Sequence, residues 1–378
     1  MPTGSWSSTG AGLSNREPTK SCSSPASCIT NWSTASFSNS RMLDRLQAGW
    51  VHPGWINYLL LPVSWLYVLL HGIKALSYRV GIRSPAKPGI PVIVVGAISV
   101  GGSGKTPLVI ALGKHLRQQG YRPGVISRGY RGRSAAWPRL VEPDTLVSEV
   151  GDEAVLIRSS ADLPVAAGPN RIEDARLLID RCGCDVIISD DGFQHFALGR
   201  DLDIVVVDSD IGTGNGWCLP AGPLREPRSG LGRADIVVEN GAFTDARTSA
   251  GHAMHMEFLR ARNLEDGALS DVADFAGNRV HAVAALGNPQ RFFTQLEDLG
   301  LDIDRHPFPD HHPFRAEDLE FAGDAPVLMT EKDAVKCLDM PNARRLWAVE
   351  ARAVVDDGFY SRIDRALKQL DPDGPGAG

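Results

Sequence analysis

Short apolar runs alternating with longer helical stretches predict an α/β chain, a mostly parallel sheet with helices on both faces. Three observations carry that expectation. Strand candidates recur at residues 91–95, 124–127, 186–189, 204–208, 236–238, 280–286 and 327–330. Helical stretches at 106–119, 152–159 and 171–182 fall between them. The candidate strands are almost continuously apolar, as strands covered on both faces should be.

The chain has 378 residues, 43% of them apolar and 22% charged, which suits a folded protein of two domains. Residues 1–41 are rich in Ser, Thr, Asn and Gly and read as a disordered extension, with Met42 an alternative start. Residues 42–83 read as a membrane-associating helical segment. No charge falls between His52 and His71, and Lys74, Arg79 and Arg83 follow directly. Trp55, Tyr58, Trp65 and Tyr67 stud the run and Pro62 interrupts it, a pattern for an interfacial anchor ahead of a single span or a buried core helix. Residues 84–245 form the expected nucleotide-binding domain, 250–356 a smaller C-terminal α/β domain, and 357–378 a C-terminal helix with a flexible tail. The domain boundary falls where the apolar pattern lapses, at 241–251.

Net charge is −6, which argues against a nucleic-acid partner. The charge is uneven: from Arg45 through Val141 there is no Asp or Glu, while Lys and Arg recur throughout. A basic first half suits an anionic membrane or substrate. The six cysteines form no C-x-x-C pair, as expected of a reducing, cytoplasmic setting.

The strongest local signal is Val92-Ile-Val-Val-Gly-Ala-Ile-Ser-Val-Gly-Gly-Ser-Gly-Lys-Thr106. A buried strand enters a Gly-rich turn, and Lys-Thr opens a helix, as in a P-loop. Val100, Gly101, Gly102, Ser103, Gly104, Lys105 and Thr106 are therefore nucleotide-binding candidates. Lys105 would reach the β/γ-phosphates, and Thr106 would face Mg²⁺. Ser99 stands where the first P-loop glycine is usual. In Asp185-Val-Ile-Ile-Ser-Asp-Asp-Gly-Phe-Gln-His195 a second apolar strand delivers Asp190 and Asp191 at its C-terminal end, the form of a metal-side carboxylate. Either Asp could meet the metal.

Looser signals surround these. Ser127-Arg-Gly-Tyr-Arg-Gly-Arg133 offers guanidiniums suited to phosphate, Arg128 first among them. Asp152 and Glu153 sit near a helix start. His306, Asp310, His311 and His312 are expected in one Pro-bounded loop, with acid–base work ahead of zinc because no second ligand cluster accompanies them. Lys332-Asp333 is a weak match to a guanine-reading loop.

In order along the chain stand Val100-Gly-Gly-Ser-Gly-Lys-Thr-Pro107, Ser127-Arg-Gly-Tyr130, Gly151-Asp-Glu153, Asp190-Asp-Gly-Phe-Gln-His195, Leu219-Pro-Ala-Gly-Pro-Leu-Arg-Glu-Pro227, Phe308-Pro-Asp-His311 and Thr330-Glu-Lys-Asp-Ala-Val-Lys336. The series resembles the tetraacyldisaccharide 4'-kinases, which phosphorylate a lipid A precursor at the inner face of the bacterial inner membrane. The resemblance implies a P-loop domain, a smaller C-terminal domain, an N-terminal membrane-contacting helix, ATP and Mg²⁺. It implies Lys105 at the nucleotide, and Thr106, Asp190 and Asp191 around the metal. It makes Asp152 the base for the sugar hydroxyl, tuned by His311, and puts Arg128, Arg171 and Gln194 at the substrate. The partners it implies are a phosphorylated, acylated disaccharide lipid and the cytoplasmic face of the inner membrane, with no obligate protein partner. The Ser-rich extension has no family counterpart, and Ala97 stands where Asn is commoner. The rival readings are a membrane-tethered P-loop switch or assembly factor, and a soluble small-molecule kinase.

Overall fold

A computed structural model describes residues 49–241, 251–321, 323–338 and 340–371. The expected extension 1–41, its alternative start Met42, nearly all of the 241–251 boundary and the tail beyond 371 lie outside the described residues.

The strands are β1 Val92–Gly96, β2 Pro123–Ser127, β3 Arg139–Leu140, β4 Val165–Ala167, β5 Val186–Asp190, β6 Leu202–Asp208, β7 Ile236–Asn240, β8 Gly251–Asn263, β9 Leu269–Asp271, β10 Arg279–Ala284, β11 Asp302–Pro307, β12 Val327–Thr330 and β13 Leu346–Val355. They form one mixed, mostly parallel sheet in the order β11-β10-β12-β13-β8-β7-β6-β1-β5-β2-β4-β3, with β9 pairing β8. Every expected strand and helix is present. The helices Lys105–Gln118, Asp152–Ala161 and Arg171–Cys182 fall within two residues of their expected bounds.

Alternation along β1 explains its continuous apolar run. Ile93 and Val95 join a cluster with the helices Lys105–Gln118, Asp152–Ala161 and Asp357–Leu370. Val92 and Val94 join a second cluster on the opposite face with Ala175, Leu178 and Phe193. Both faces are dry, so both sets must be apolar.

Sequence patterning does not reveal β8, β11 or β13. β8 pairs β7 in parallel through Val237–Gly251 to Asn240–Met254, then runs antiparallel to β13, so the sheet is continuous across the lapse in apolar pattern. β8 buries only Met254, Ala261 and Asn263, too few for a periodic signal. His306 is a correction to the expected loop: it lies inside β11, paired in register with Val283 of β10.

The apolar segment forms a 25-residue helix, Trp55–Arg79, about 37 Å long at 1.5 Å per residue. Its most apolar window has mean hydropathy 1.6 and is only 6% buried. The buried side is polar: Asn57 Nδ2 donates to the Ala221 carbonyl at 3.0 Å, and Ser64 Oγ accepts from Ala221 N at 3.0 Å. Tyr67 donates its hydroxyl to the Arg225 carbonyl at 2.5 Å. His71 and Tyr78 pack on Phe196, with ring centroids 5.6 and 6.0 Å apart. Trp55, Leu59, Trp65, Leu66, Leu69 and Leu70 face outward, Trp55 at 75% exposure. The helix is amphipathic the wrong way round for a water-facing element.

Candidate active site

β1 and β5 are adjacent and parallel, with Val95 in register with Asp190, so their C-terminal ends open on one edge of the sheet. That edge carries a cleft of about 230 Å³ lined by residues including Gly101–Pro107, Glu153, Asp191, Arg225, His311 and Lys332.

The turn after β1 needs its glycines. Gly101 has φ +114° and Gly104 φ +89°, and a Cβ on Gly104 would lie 2.5 Å from Asn240 Nδ2. Gly104 caps the helix Lys105–Gln118 with no side-chain acceptor, so the first amides point toward the cleft unclaimed by a cap. Of the expected cradle, Val100 N donates to the Pro223 carbonyl at 2.9 Å and Ser103 N to the Gly101 carbonyl at 3.0 Å. Those two amides shape the loop, leaving the later ones for an anion.

The two neighbouring aspartates have separate surroundings. Asp190 ends β5, and its Oδ2 lies 3.4 Å from Thr106 Oγ1. Its Oδ1 is buried without a hydrogen-bond partner. Burial, reinforced by the charges of Glu153 and Asp191, pushes the Asp190 carboxyl up to about 7. Asp191 leaves the strand with φ +50°, a conformation costly for a residue with a Cβ. Both its oxygens accept from Arg225 Nη1 at 2.7 Å, and Lys105 Nζ stands 3.7 Å away. Burial opposes the charge, but Lys105 and Arg225 hold Asp191 down at about 2. Arg225, which stands in the sequence within the Leu219–Pro227 motif, lines the same cleft. Its carbonyl accepts from the Tyr67 hydroxyl, which links the apolar helix to the edge of the cleft.

A second constellation closes the cleft from the C-terminal half. His311 Nδ1 lies 2.7 Å from Asp152 Oδ2, across 159 residues of sequence. Lys332 Nζ stands 3.3 Å from His311 Nε2. Lysine offers only donors, so Nε2 accepts and Nδ1–H donates to Asp152. His311 has φ +58°, and Arg131 Nη1 donates to its carbonyl at 2.8 Å. Asp152 opens its helix behind Gly151 (φ +87°), where any Cβ would strike the Tyr130 carbonyl at 2.4 Å. Burial alone would raise Asp152, but its hydrogen bond to His311 and the charges of Lys332 and Lys336 keep the carboxyl below the ordinary carboxylate range. His311 lines the cleft, whereas Asp152 is 5% exposed and stands behind it.

The other expected substrate residues divide. Arg128 is exposed at the end of β2. Its charge reaches His195, which burial first, then Arg171, Lys74, Arg200 and Arg128, push down to about 4. Arg171 is buried and Gln194 half-buried, and both make hydrogen bonds within the protein. Arg171 is 3% exposed and donates from Nη2 to the Asp190 carbonyl at 2.9 Å. Gln194 Nε2 donates to the Ala97 carbonyl at 3.0 Å and to Glu226 Oε1 at 2.6 Å. Arg171 supports the backbone at Asp190 and keeps its Nη1 buried without a hydrogen-bond partner. Asp333 cannot read a base: it is fully buried, accepting from Ala285 N and Thr330 Oγ1 at 2.8 Å.

A family model described as Tetraacyldisaccharide-1-P 4'-kinase matches residues 56–368. A tetraacyldisaccharide 4'-kinase of Hahella chejuensis is 45% identical over 331 residues, 85% of this chain and 97% of that protein. One from Nitrosococcus oceani is 48% identical over 313 residues, 83% and 91% of the two chains. A solved LpxK from Aquifex aeolicus, described as an "apo" form in complex with ATP, superposes with TM-score 0.70 at 28% identity, covering 82% of this chain and 99% of that one.

Proposed function

The chain belongs to the tetraacyldisaccharide 4'-kinase family, and we propose that its Asp152–His311 pair accepts the proton of the sugar hydroxyl while the P-loop holds the phosphate in transfer. The reaction is the family's: ATP-dependent phosphorylation of the 4'-hydroxyl of a tetraacyldisaccharide 1-phosphate, in lipid A biosynthesis.

The observation that carries the mechanism is the 2.7 Å contact of His311 with Asp152 on the wall of the P-loop cleft. A sugar hydroxyl is a weak nucleophile, and a positioned base strengthens it. The hydroxyl proton passes to the pair, the oxygen bonds to the γ-phosphorus, and the bond to the bridging oxygen breaks as ADP departs. Amides at the start of the helix Lys105–Gln118 and the Lys105 ammonium hold the phosphate oxygens. Asp191, itself held by Arg225, attracts Lys105 from 3.7 Å.

Mg²⁺ fits this site on one observation: Asp190 presents a buried, unpartnered Oδ1 beside the Thr106 hydroxyl. Asp190 and Thr106 would hold the ion. Asp191, turned to Arg225, would act through its charge. When bound, the ion neutralises charge on the β- and γ-phosphates.

The acceptor is a lipid, and the outward apolar face of Trp55–Arg79 supports a membrane-surface location. Contacts to the body run from Asn57 to Tyr78, nearly the whole helix. That supports a helix lying in the interface over one crossing the bilayer. Reaction with ATP supports a working surface on the cytoplasmic face. Arg128, exposed and with Lys74 one of the cations whose charge reaches His195, suits the anionic head of the lipid.

The direct test is transfer of labelled γ-phosphate from ATP to disaccharide-1-phosphate lipid in detergent micelles. A labelled bis-phosphorylated lipid, absent with Lys105→Ala, is the expected product. ATP or GTP turnover indifferent to lipid would instead support a membrane-tethered switch.

A further inference from the structure

At the outer edge of the sheet three metal-ligating side chains converge on strands that play no part in the mechanism above. Parallel register pairs His281 of β10 with Asp304 of β11, and Val283 with His306. Register partners in a parallel pair, and residues two apart on one strand, share a face of the sheet. His281, Asp304 and His306 therefore project together. His281 Nδ1 lies 3.1 Å from His306 Nε2 and 3.9 Å from Asp304 Oδ2, and one donor atom from each residue falls within 4.8 Å of the others.

We infer that His281, Asp304 and His306 form a binding site for a divalent transition-metal ion, zinc being the ion its donors suit best. Two imidazoles and a carboxylate match zinc and its first-row neighbours, not Mg²⁺, which takes oxygen ligands. Zn–N and Zn–O bonds of about 2.0–2.1 Å in tetrahedral geometry set donors roughly 3.3 Å apart. The His–His separation of 3.1 Å is close to that value, and Asp304, 3.9 Å from His281, would move in to complete the set. The surroundings are arranged as a metal's outer contacts usually are. Arg279 Nη2 holds Asp304 Oδ2 at 2.9 Å, and Phe321 stacks on both rings, with centroids 4.5 Å from His281 and 3.9 Å from His306. Coordination by both facing nitrogens requires the proton between the rings to move to the outer nitrogen of its ring. Three protein ligands leave a position for water.

The location gives the ion a consequence. β10 leads into Gly287, whose backbone lies against Gly101 and Gly102, and β11 leads into the loop that carries His311. An ion across the two strands would fix the spacing of the two segments that close on the P-loop.

The test uses the full chain in detergent, stripped with chelator and titrated at neutral pH with Co²⁺ and then Zn²⁺, in excess Mg²⁺. Expected are one equivalent bound, a tetrahedral Co²⁺ visible spectrum, and a metal-dependent rise in Tm. His306→Ala and Asp304→Asn should each weaken binding at least tenfold and remove the Tm rise, while metal-free Tm reports that they fold. Asp190→Asn, run in parallel, should keep the equivalent, which separates this site from the catalytic cleft. Absence of binding up to about 1 mM metal would overturn the inference. Equal affinity in wild type and the two cluster variants would also overturn it.

Discussion

Asp152→Asn is the sharpest perturbation of the proposed mechanism, because it removes a charge and leaves the volume. The carboxylate carries the hydrogen bond from His311 Nδ1 at 2.7 Å and faces Lys336 Nζ at 3.9 Å. Asn can still accept from Nδ1–H, so the ring stays in place while the site loses its resident negative charge. A general base typically contributes 10²–10⁴ in rate, about 2.7–5.5 kcal/mol of barrier. The fold should lose much less. Lys336 keeps Asp333 at 2.8 Å, and Lys332 keeps Asp310 at 3.2 Å. Loss of one charged hydrogen bond costs about 1–3 kcal/mol, a Tm decrease of a few degrees in a chain this size. The sign of the pH effect follows from the depressed folded pKa. Asp152 stabilises the fold above its unfolded pKa of about 3.9, and that contribution is lost as pH falls through the lower folded value. Activity needs the same charge, so Asp152's part of the wild-type acid limb lies below the ordinary carboxylate range and is absent in the variant. The assay is kcat and kcat/KM for labelled phosphate transfer to micellar lipid across pH, with Tm measured alongside. A folded variant retaining kcat within threefold of wild type would refute the role of the pair.

Other perturbations separate the remaining parts. Asp190→Asn should raise the Mg²⁺ concentration for half-maximal rate at least tenfold, read by titrating Mg²⁺ at saturating ATP; an unchanged requirement would move the ion elsewhere. Gly287→Ala would bring a Cβ to 2.8 Å from Gly102 N, so the two backbone segments must separate; KM for ATP should rise several-fold, with Tm lowered. Leu66→Glu with Leu69→Glu places two charges on the outward face, where these leucines are 55% and 59% exposed. Sedimentation with anionic vesicles should fall at least tenfold, since each buried leucine is worth roughly 1.5–3 kcal/mol, while kcat in detergent holds.

The local elements of this protein were legible in its sequence because their signals are short-range. A strand covered on both faces is near-continuously apolar, so the runs 92–95, 186–188 and 204–207 declare β1, β5 and β6. A phosphate turn needs glycine at positive φ, so Gly101 and Gly104 mark it. β8 was hidden because it buries only Met254, Ala261 and Asn263, and β13 because the register shift between Val349 and Ala351 breaks the alternation of its buried residues. Residue type reports chemistry but not direction: in three dimensions Arg171 meets the Asp190 carbonyl and Gln194 meets Glu226.

Which aspartate faces Thr106 could be decided only in three dimensions. Adjacent strand residues point to opposite sides, and the left-handed backbone at Asp191 then turns its carboxylate to Arg225, 34 residues away. The same holds for the pairing of His311 with Asp152 across 159 residues, of Tyr67 with Arg225 across 158, and of His281 with His306 across neighbouring strands. Periodicity and turn chemistry act over a few residues and are written in the chain. The meeting of distant side chains depends on strand order and register, which are settled by how the whole sheet packs.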